Sequence, residues 1–149
     1  MKRNFATAFA VLAALAIVAV VLAKDHDGYA HATVSVGDVH YDALVSDTDA
    51  LRERGLSGLS RLDDGTAMLF IFPTAAFWPF WMKDMRFPID IVWIGEDGRV
   101  VTVKENVSPS TYPQTFAPEK PAINVIEIPA GDAAKAGIKA GETQVSISR

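Results

Sequence analysis

The chain has 149 residues, 50% of them hydrophobic and 21% charged, which suits one globular domain and excludes a mainly disordered one. From Lys24 onward, twelve basic residues face eighteen acidic ones, a formal charge of −6, so the basic footprint that holds a phosphate backbone is missing and no nucleic-acid partner is expected. Cysteine is absent, which removes disulfides, thiolate nucleophiles and cysteine-based zinc sites together.

The N-terminus opens MKRN and continues through residues 5–23 with no charge and eight alanines, the makeup of a targeting segment. It is either a signal peptide, cleaved after the small-residue stretch Val21-Leu22-Ala23, or an uncleaved anchor, since about twenty apolar residues can span a bilayer. Alanine richness favours cleavage and length favours the anchor. In both cases Lys2 and Arg3 stay cytoplasmic and the remainder is exported to the periplasm or another extracytoplasmic space. Membrane contact is expected only through residues 5–23, and only if they are retained. Residues 24–31, KDHDGYAH, read as a linker.

Beyond the linker, ATVSV and VHYDALV flank Gly37-Asp38, a two-residue turn that predicts a β-hairpin. SDTDALRERG then supplies Ser46 or Thr48 as an N-cap, two helical turns, and Gly55 as the stop with Leu56 behind it. Asp63-Asp64-Gly65 turns the chain into TAMLFIF, an unbroken apolar run that predicts a strand covered on both faces and ended by Pro73. RFPIDIVWI and RVVTVKENV form a second hairpin about the loop Gly95 to Gly98. Residues 108–121 hold four of the eight prolines without periodicity, and a loop of that length is commonly functional. INVIEIP returns to strand character, Asp132 is the expected cap of a short helix stopped by Gly137, and TQVSIS makes a last strand. Seven or eight short strands with two short helices predict a mainly β single domain over residues 32–149, a β-sandwich or a partly closed β-barrel.

Two acids stand out inside strands. With period two, Asp90 shares a face with Pro88, Val92 and Ile94, and Glu127 shares one with Val125 and Pro129, so each is a lone charge on an apolar face. Burial demands a cation or several donors, and Arg54, Lys83 and Arg86 are the candidates nearby. The cluster Phe77, Trp78, Phe80 and Trp81 either joins the core or forms a stacking platform, with Trp78 and Trp81 as candidate ligand-binding residues. Asp25, His26, Asp27, His31 and His40 lack a metal-binding spacing, and no Walker or dinucleotide loop is present, so neither metal nor cofactor is expected. GLSG at 55–58 falls short of a nucleophile elbow, because position 59 is Leu.

RGL at 54–56, MLFIF at 68–72, FWMKDMRFPIDIVWIGEDGRVV at 80–101, and VIEIPAG with GIKAG at 125–141 together resemble the domain of unknown function 192 family, in order and spacing, over about residues 32–148. The resemblance implies a compact β-rich domain, often exported behind a signal segment in bacteria, with no established activity. Relatives commonly carry Asn where Asp84 stands and Gly where Ala67 stands. Carried over residue by residue, the polar positions of the pattern are Arg54, Lys83, Asp90 and Glu127.

The leading expectation is a noncatalytic ligand-binding module of the cell envelope, with a groove bordered by Trp78, Trp81 and the 108–121 loop. A hydrolase or lyase using Asp90 and Glu127 as an acid/base pair, with Lys83 or Arg54 stabilising negative charge, is the enzymatic alternative. The third is an envelope protein-interaction module docking through an apolar patch.

Overall fold

The computed structural model describes residues 28–149. The targeting segment, and with it the choice between cleavage and anchoring, lies outside the described residues. The linker is shorter than expected, because Ala30 and His31 already belong to the first strand.

Strands β1 (Ala30–Val36) and β2 (Val39–Ser46) form the expected hairpin. Helix α1 (Asp49–Arg54) begins at Thr48, whose hydroxyl accepts from the Leu51 amide at 3.3 Å, and stops at Gly55 with φ of 48°. Strand β3 (Thr66–Ala76) runs through Pro73 instead of ending there. Its register with the neighbouring strand shifts between Ile71 and Ala76, so the missing proline amide falls where the ladder is already interrupted. There follow β4 (Phe80–Trp81), β5 (Ile89–Ile94) and β6 (Val100–Val107). The proline-rich loop is not featureless: it contains a 3-10 turn (Pro109–Thr111) and β7 (Thr115–Phe116), which pairs with β4. Strand β8 (Ala122–Pro129), helix α2 (Asp132–Lys135) and β9 (Val145–Ser148) complete the described chain.

Seven strands make one sheet in the order β6-β5-β8-β3-β2-β1-β9, and β4 with β7 makes a small ribbon. Only β2 and β3 are parallel among these pairs, which forces a crossover, and α1 rides on it. The two edges of the large sheet meet: Arg99 bridges Gln144, and the Val145 amide donates to the Gly98 carbonyl at 2.8 Å. Edge joining to edge makes the sheet a curled half-barrel, the partly closed alternative rather than the sandwich. At this seam Gly98 takes φ of +76°, and a Cβ there would stand 2.5 Å from Gln144 Nε2 and 3.1 Å from the Val145 carbonyl oxygen. Gly98→Ala is therefore expected to cost about 2 kcal/mol. The measurement is the urea midpoint at constant m, and an unchanged midpoint would mean that the seam yields freely.

Each face of the sheet has its own core. Val34, Val45, Leu69, Val92 and Ile126 fill the barrel interior, with Ala133 and Ile138 from the α2 region at its end. Met68, Phe70, Ile91, Trp93 and Val125 line the outer face beneath Leu56, Phe80 and Met82. All six residues of β5 are buried for this reason, as are Ala67 to Phe70 of β3. Helix α2 departs from expectation at its start. Gly131, left-handed at φ of 88°, is the N-cap and offers no side chain, which moves Asp132 into the first helical turn, where it pairs with Lys135 at 3.1 Å.

Candidate ligand-binding cleft

Register decides where the two strand acids go. Glu127 stands opposite Met68 of β3 and Ile91 of β5, which places it on the outer face. Asp90 stands opposite Ile128, whose side chain belongs to the barrel interior. The two carboxylates therefore lie on opposite faces of one sheet, and they do not form the acid/base pair of the enzymatic alternative. Neither takes Arg54, Lys83 or Arg86, the candidate cations, as an ion-pair partner among the described residues, which leaves the other expected partner, several donors.

Asp90 is satisfied by backbone instead. Its Oδ1 accepts from the Asn106 amide at 2.7 Å and its Oδ2 from the Ala133 amide at 2.8 Å. Asn106, at φ of 53°, lies in the stretch where β6 slips register against β5, and Ala133 is in the first turn of α2. One fully buried carboxylate thus holds a strand irregularity and supplies the helix cap that Gly131 lacks. Tyr41 adjoins this cluster, and its phenol is pushed up to about 12 by burial and then by the charges of Asp132 and Asp90.

Glu127 has no such support. The residue is 5% exposed, its Oε2 is buried without a hydrogen-bond partner, and burial raises the carboxyl from 4.5 to about 8. It lines a cleft of about 200 Å³ walled by Phe70, Phe72, Trp78, Phe80 and Trp81, with Arg52 and Arg54 also in the lining. Phe72 and Trp78 stack with centroids 4.2 Å apart, and Phe80 packs edge-on against Phe70 at 4.9 Å. Trp78 is anchored through its indole N–H, which donates to the Thr74 carbonyl at 3.1 Å, while Trp81 remains 50% exposed. An outer chamber of about 440 Å³ shares Arg52, Arg54 and Trp81 with the inner one and adds Lys83 and Asp84. The turn carrying Lys83 and Asp84 is tied to residues 57 and 58: the Ser57 hydroxyl donates to the Lys83 carbonyl at 3.0 Å, and the Gly58 amide to that of Asp84 at 3.1 Å.

Four of the six expected residues, Arg54, Trp78, Trp81 and Glu127, thus share one cleft, Lys83 stands in its outer chamber, and Asp90 is elsewhere. The 108–121 loop reaches this region through Tyr112, whose ring meets that of Trp81 edge-on at 6.0 Å, although no residue of the loop lines the inner chamber. Phe70, Phe72 and Arg52 were missed by sequence reasoning. Alternation within MLFIF puts Phe70 and Phe72 on one face, but only the pairing with β8 reveals that Glu127 shares it. His31 and His40 are engaged locally, with Asp42 at 3.1 Å and Ser35 at 2.7 Å.

The sequence profile of the family described as Uncharacterized ACR, DUF192, matches residues 32–146. Among solved structures, the fold is shared with a proposed transcription regulator from Sinorhizobium meliloti, at 24% identity and a TM-score of 0.73, over 79% of this chain and 94% of that one. A protein of unknown function from Novosphingobium aromaticivorans aligns at 29% identity and a TM-score of 0.71, over 79% and 84%. No curated protein matches the chain.

Proposed function

We propose, for a chain that belongs to the DUF192 family, a noncatalytic ligand-binding role in the cell envelope. One observation carries it: the buried, unpartnered Glu127 carboxyl at an aromatic-walled cleft. Leaving such a group without a partner costs about 1–3 kcal/mol, and a ligand that supplies the missing hydrogen bond recovers that cost on binding. The walls are rings with modest freedom, so little ordering is needed when a ligand enters. Asp90 is sequestered on the far side of the sheet, which leaves Glu127 without the second strand acid that acid/base chemistry would use. The charge-free residues 5–23 behind Lys2 and Arg3 support an extracytoplasmic location. A regulator role of the kind proposed for the Sinorhizobium neighbour finds no support in the net charge of −6 over residues 24–149.

The test is a thermal-shift panel of monosaccharides, short-chain carboxylates, alkyl phosphates and alkylamines against the wild-type domain and Trp81→Ala. At a ligand concentration near 100 times Kd, stabilisation of about 2.7 kcal/mol is expected, several degrees in Tm. Trp81 is exposed enough that its truncation should leave the fold intact while weakening the response. If no class shifts the wild type, the reading fails.

A second reading has its own observation. Phe77, Trp81 and Tyr112 are 57%, 50% and 46% exposed, and the last two touch. The Trp81–Tyr112 pair, with Phe77 exposed as well, suits an envelope protein-interaction module, and a purely monomeric domain that captures no chain from an envelope extract would count against it.

A further inference from the structure

Three cations surround the mouth of the cleft, and they are not equivalent. Arg52 is fully committed: Nη1 donates to the Ile71 carbonyl at 2.6 Å, Nη2 to Asp49 at 2.6 Å, and its guanidinium lies 5.3 Å from the Phe72 ring centre. Arg54 and Lys83 lie over rings as well, Tyr29 at 5.4 Å and Trp81 at 5.8 Å, but neither has a carboxylate partner among the described residues. Both line the outer chamber. A domain that is acidic as a whole thus keeps two uncommitted cations at the entrance of its aromatic cleft.

We infer that the cleft takes a small amphiphilic organic anion, a carboxylate or a phosphate monoester, with its charged group at Arg54 and Lys83 and its apolar body against Phe72, Trp78 and Phe80. This rests on the ligand-binding reading above and names the ligand's class. A cationic ligand, the other occupant that an aromatic cleft invites, finds rings at the rim already faced by Arg52 and Lys83 and meets the unpaired charges of Arg54 and Lys83 on entry. The rim acids, Glu53 and Asp84, do not outweigh them. The Arg54 guanidinium offers paired N–H donors suited to carboxylate or phosphate oxygens, and Lys83 adds a mobile point charge.

Glu127 is compatible with an anion because burial holds it neutral near pH 7, so it can donate a hydrogen bond instead of repelling. The charged groups sharing its cleft are Arg52, Glu53 and Arg54 from α1; β3, β4 and β5 present only apolar side chains there. Ionisation of Glu127 above about pH 8 adds a negative charge at the floor, and anion affinity falls.

Calorimetric titration of the full domain with hexanoate, hexyl phosphate, hexanol and hexylammonium tests this. Hexanoate or hexyl phosphate is expected to bind, and which of the two does identifies the headgroup. The exposed double substitution Arg54→Gln with Lys83→Gln should weaken that binding at least about tenfold while leaving Tm unchanged. For hexanoate, whose charge is constant over this range, affinity should fall between about pH 6 and pH 9 in the wild type and stay level in Glu127→Gln; for hexyl phosphate, which gains its second charge near about pH 6, the readout is the wild-type profile relative to that of Glu127→Gln. Tighter binding of hexylammonium, equal binding of hexanol, or indifference to the double substitution overturns the anion assignment while leaving a ligand-binding cleft. Failure of all four probes overturns the anion assignment, and the ligand-binding reading falls with it only if the wider thermal-shift panel is also silent.

Discussion

Asp90→Ala is expected to remove about 3–5 kcal/mol of stability, a large share of the roughly 5–15 kcal/mol available to a domain of this kind. Two charge-assisted hydrogen bonds disappear at once, each of the class that contributes about 1.5–3 kcal/mol. The Ala133 amide is left without an acceptor in a place that water reaches poorly, Ala133 being fully buried, while the part-buried Asn106 amide loses its partner nearer the surface. Asp90→Asn should be milder, about 2–3 kcal/mol, since its carbonyl can keep one amide while its own N–H₂ faces the other. In thermal melts the alanine variant should lose on the order of 10–20 °C. Hydrogen exchange gives the discriminating readout, with protection lost first at Asn106 and in the first turn of α2. A variant that melts within a degree or two of wild type would refute the view of Asp90 as the shared anchor of the β6 irregularity and the α2 N-terminus.

Substitution of Glu127 by Gln is expected to remove the decline of stability with rising pH that this carboxyl imposes. The carboxyl titrates near its ordinary 4.5 when unfolded and near about 8 when folded, so between those values the native state holds a proton that the unfolded state has released. Stability from this group is complete below about pH 4.5, declines as pH rises, and is exhausted above about pH 8. Each unit of separation corresponds to about 1.4 kcal/mol, which makes the loss a matter of several kcal/mol. Tyr41, raised from 10 to about 12, acts with the same sign but only above pH 10, outside this window. Wild-type midpoints should therefore fall from pH 5 to pH 9 relative to Glu127→Gln, whose amide does not titrate. Parallel pH profiles for the two proteins would mean that Glu127 is solvated or paired in solution, and the cleft reading would lose its central observation.

The same two acids mark how far sequence reasoning reached. Both were correctly recognised as lone charges on apolar strand faces, because alternation of side chains is a property of a few consecutive residues. Of the two kinds of partner expected, a cation or several donors, Asp90 takes the donors, and neither acid has an ion-pair partner among the described residues. Asp90 found backbone amides supplied by Asn106 and Gly131-Asp132-Ala133, segments 16 to 43 residues away, and nothing local signals that a β irregularity and a bare glycine cap will converge on one carboxylate. The Gly37-Asp38 hairpin, the Thr48 cap and the Gly55 stop were legible for the opposite reason, since each is set by contacts within a handful of residues. Pro73 misled because its penalty depends on whether its amide was needed, and the register shift in β3 made it dispensable.

By itself the sequence determined the mainly β class, the hairpins, the targeting segment as an expectation, and the residues to watch. Family membership over residues 32–146 agrees with the motifs in RGL, MLFIF, FWMKDMRFPIDIVWI and VIEIPAG. Tertiary structure decided that the sheet closes at Arg99 and Gln144, that Trp81 meets Tyr112 of the proline-rich loop, and that Asp90 and Glu127 face opposite ways. Alternation says which neighbours share a side chain's face, but the pairing of Asp90 with Ile128 and of Ile91 with Glu127 is a register between strands some 37 residues apart. A shift of one residue in that register would have put both acids on one face.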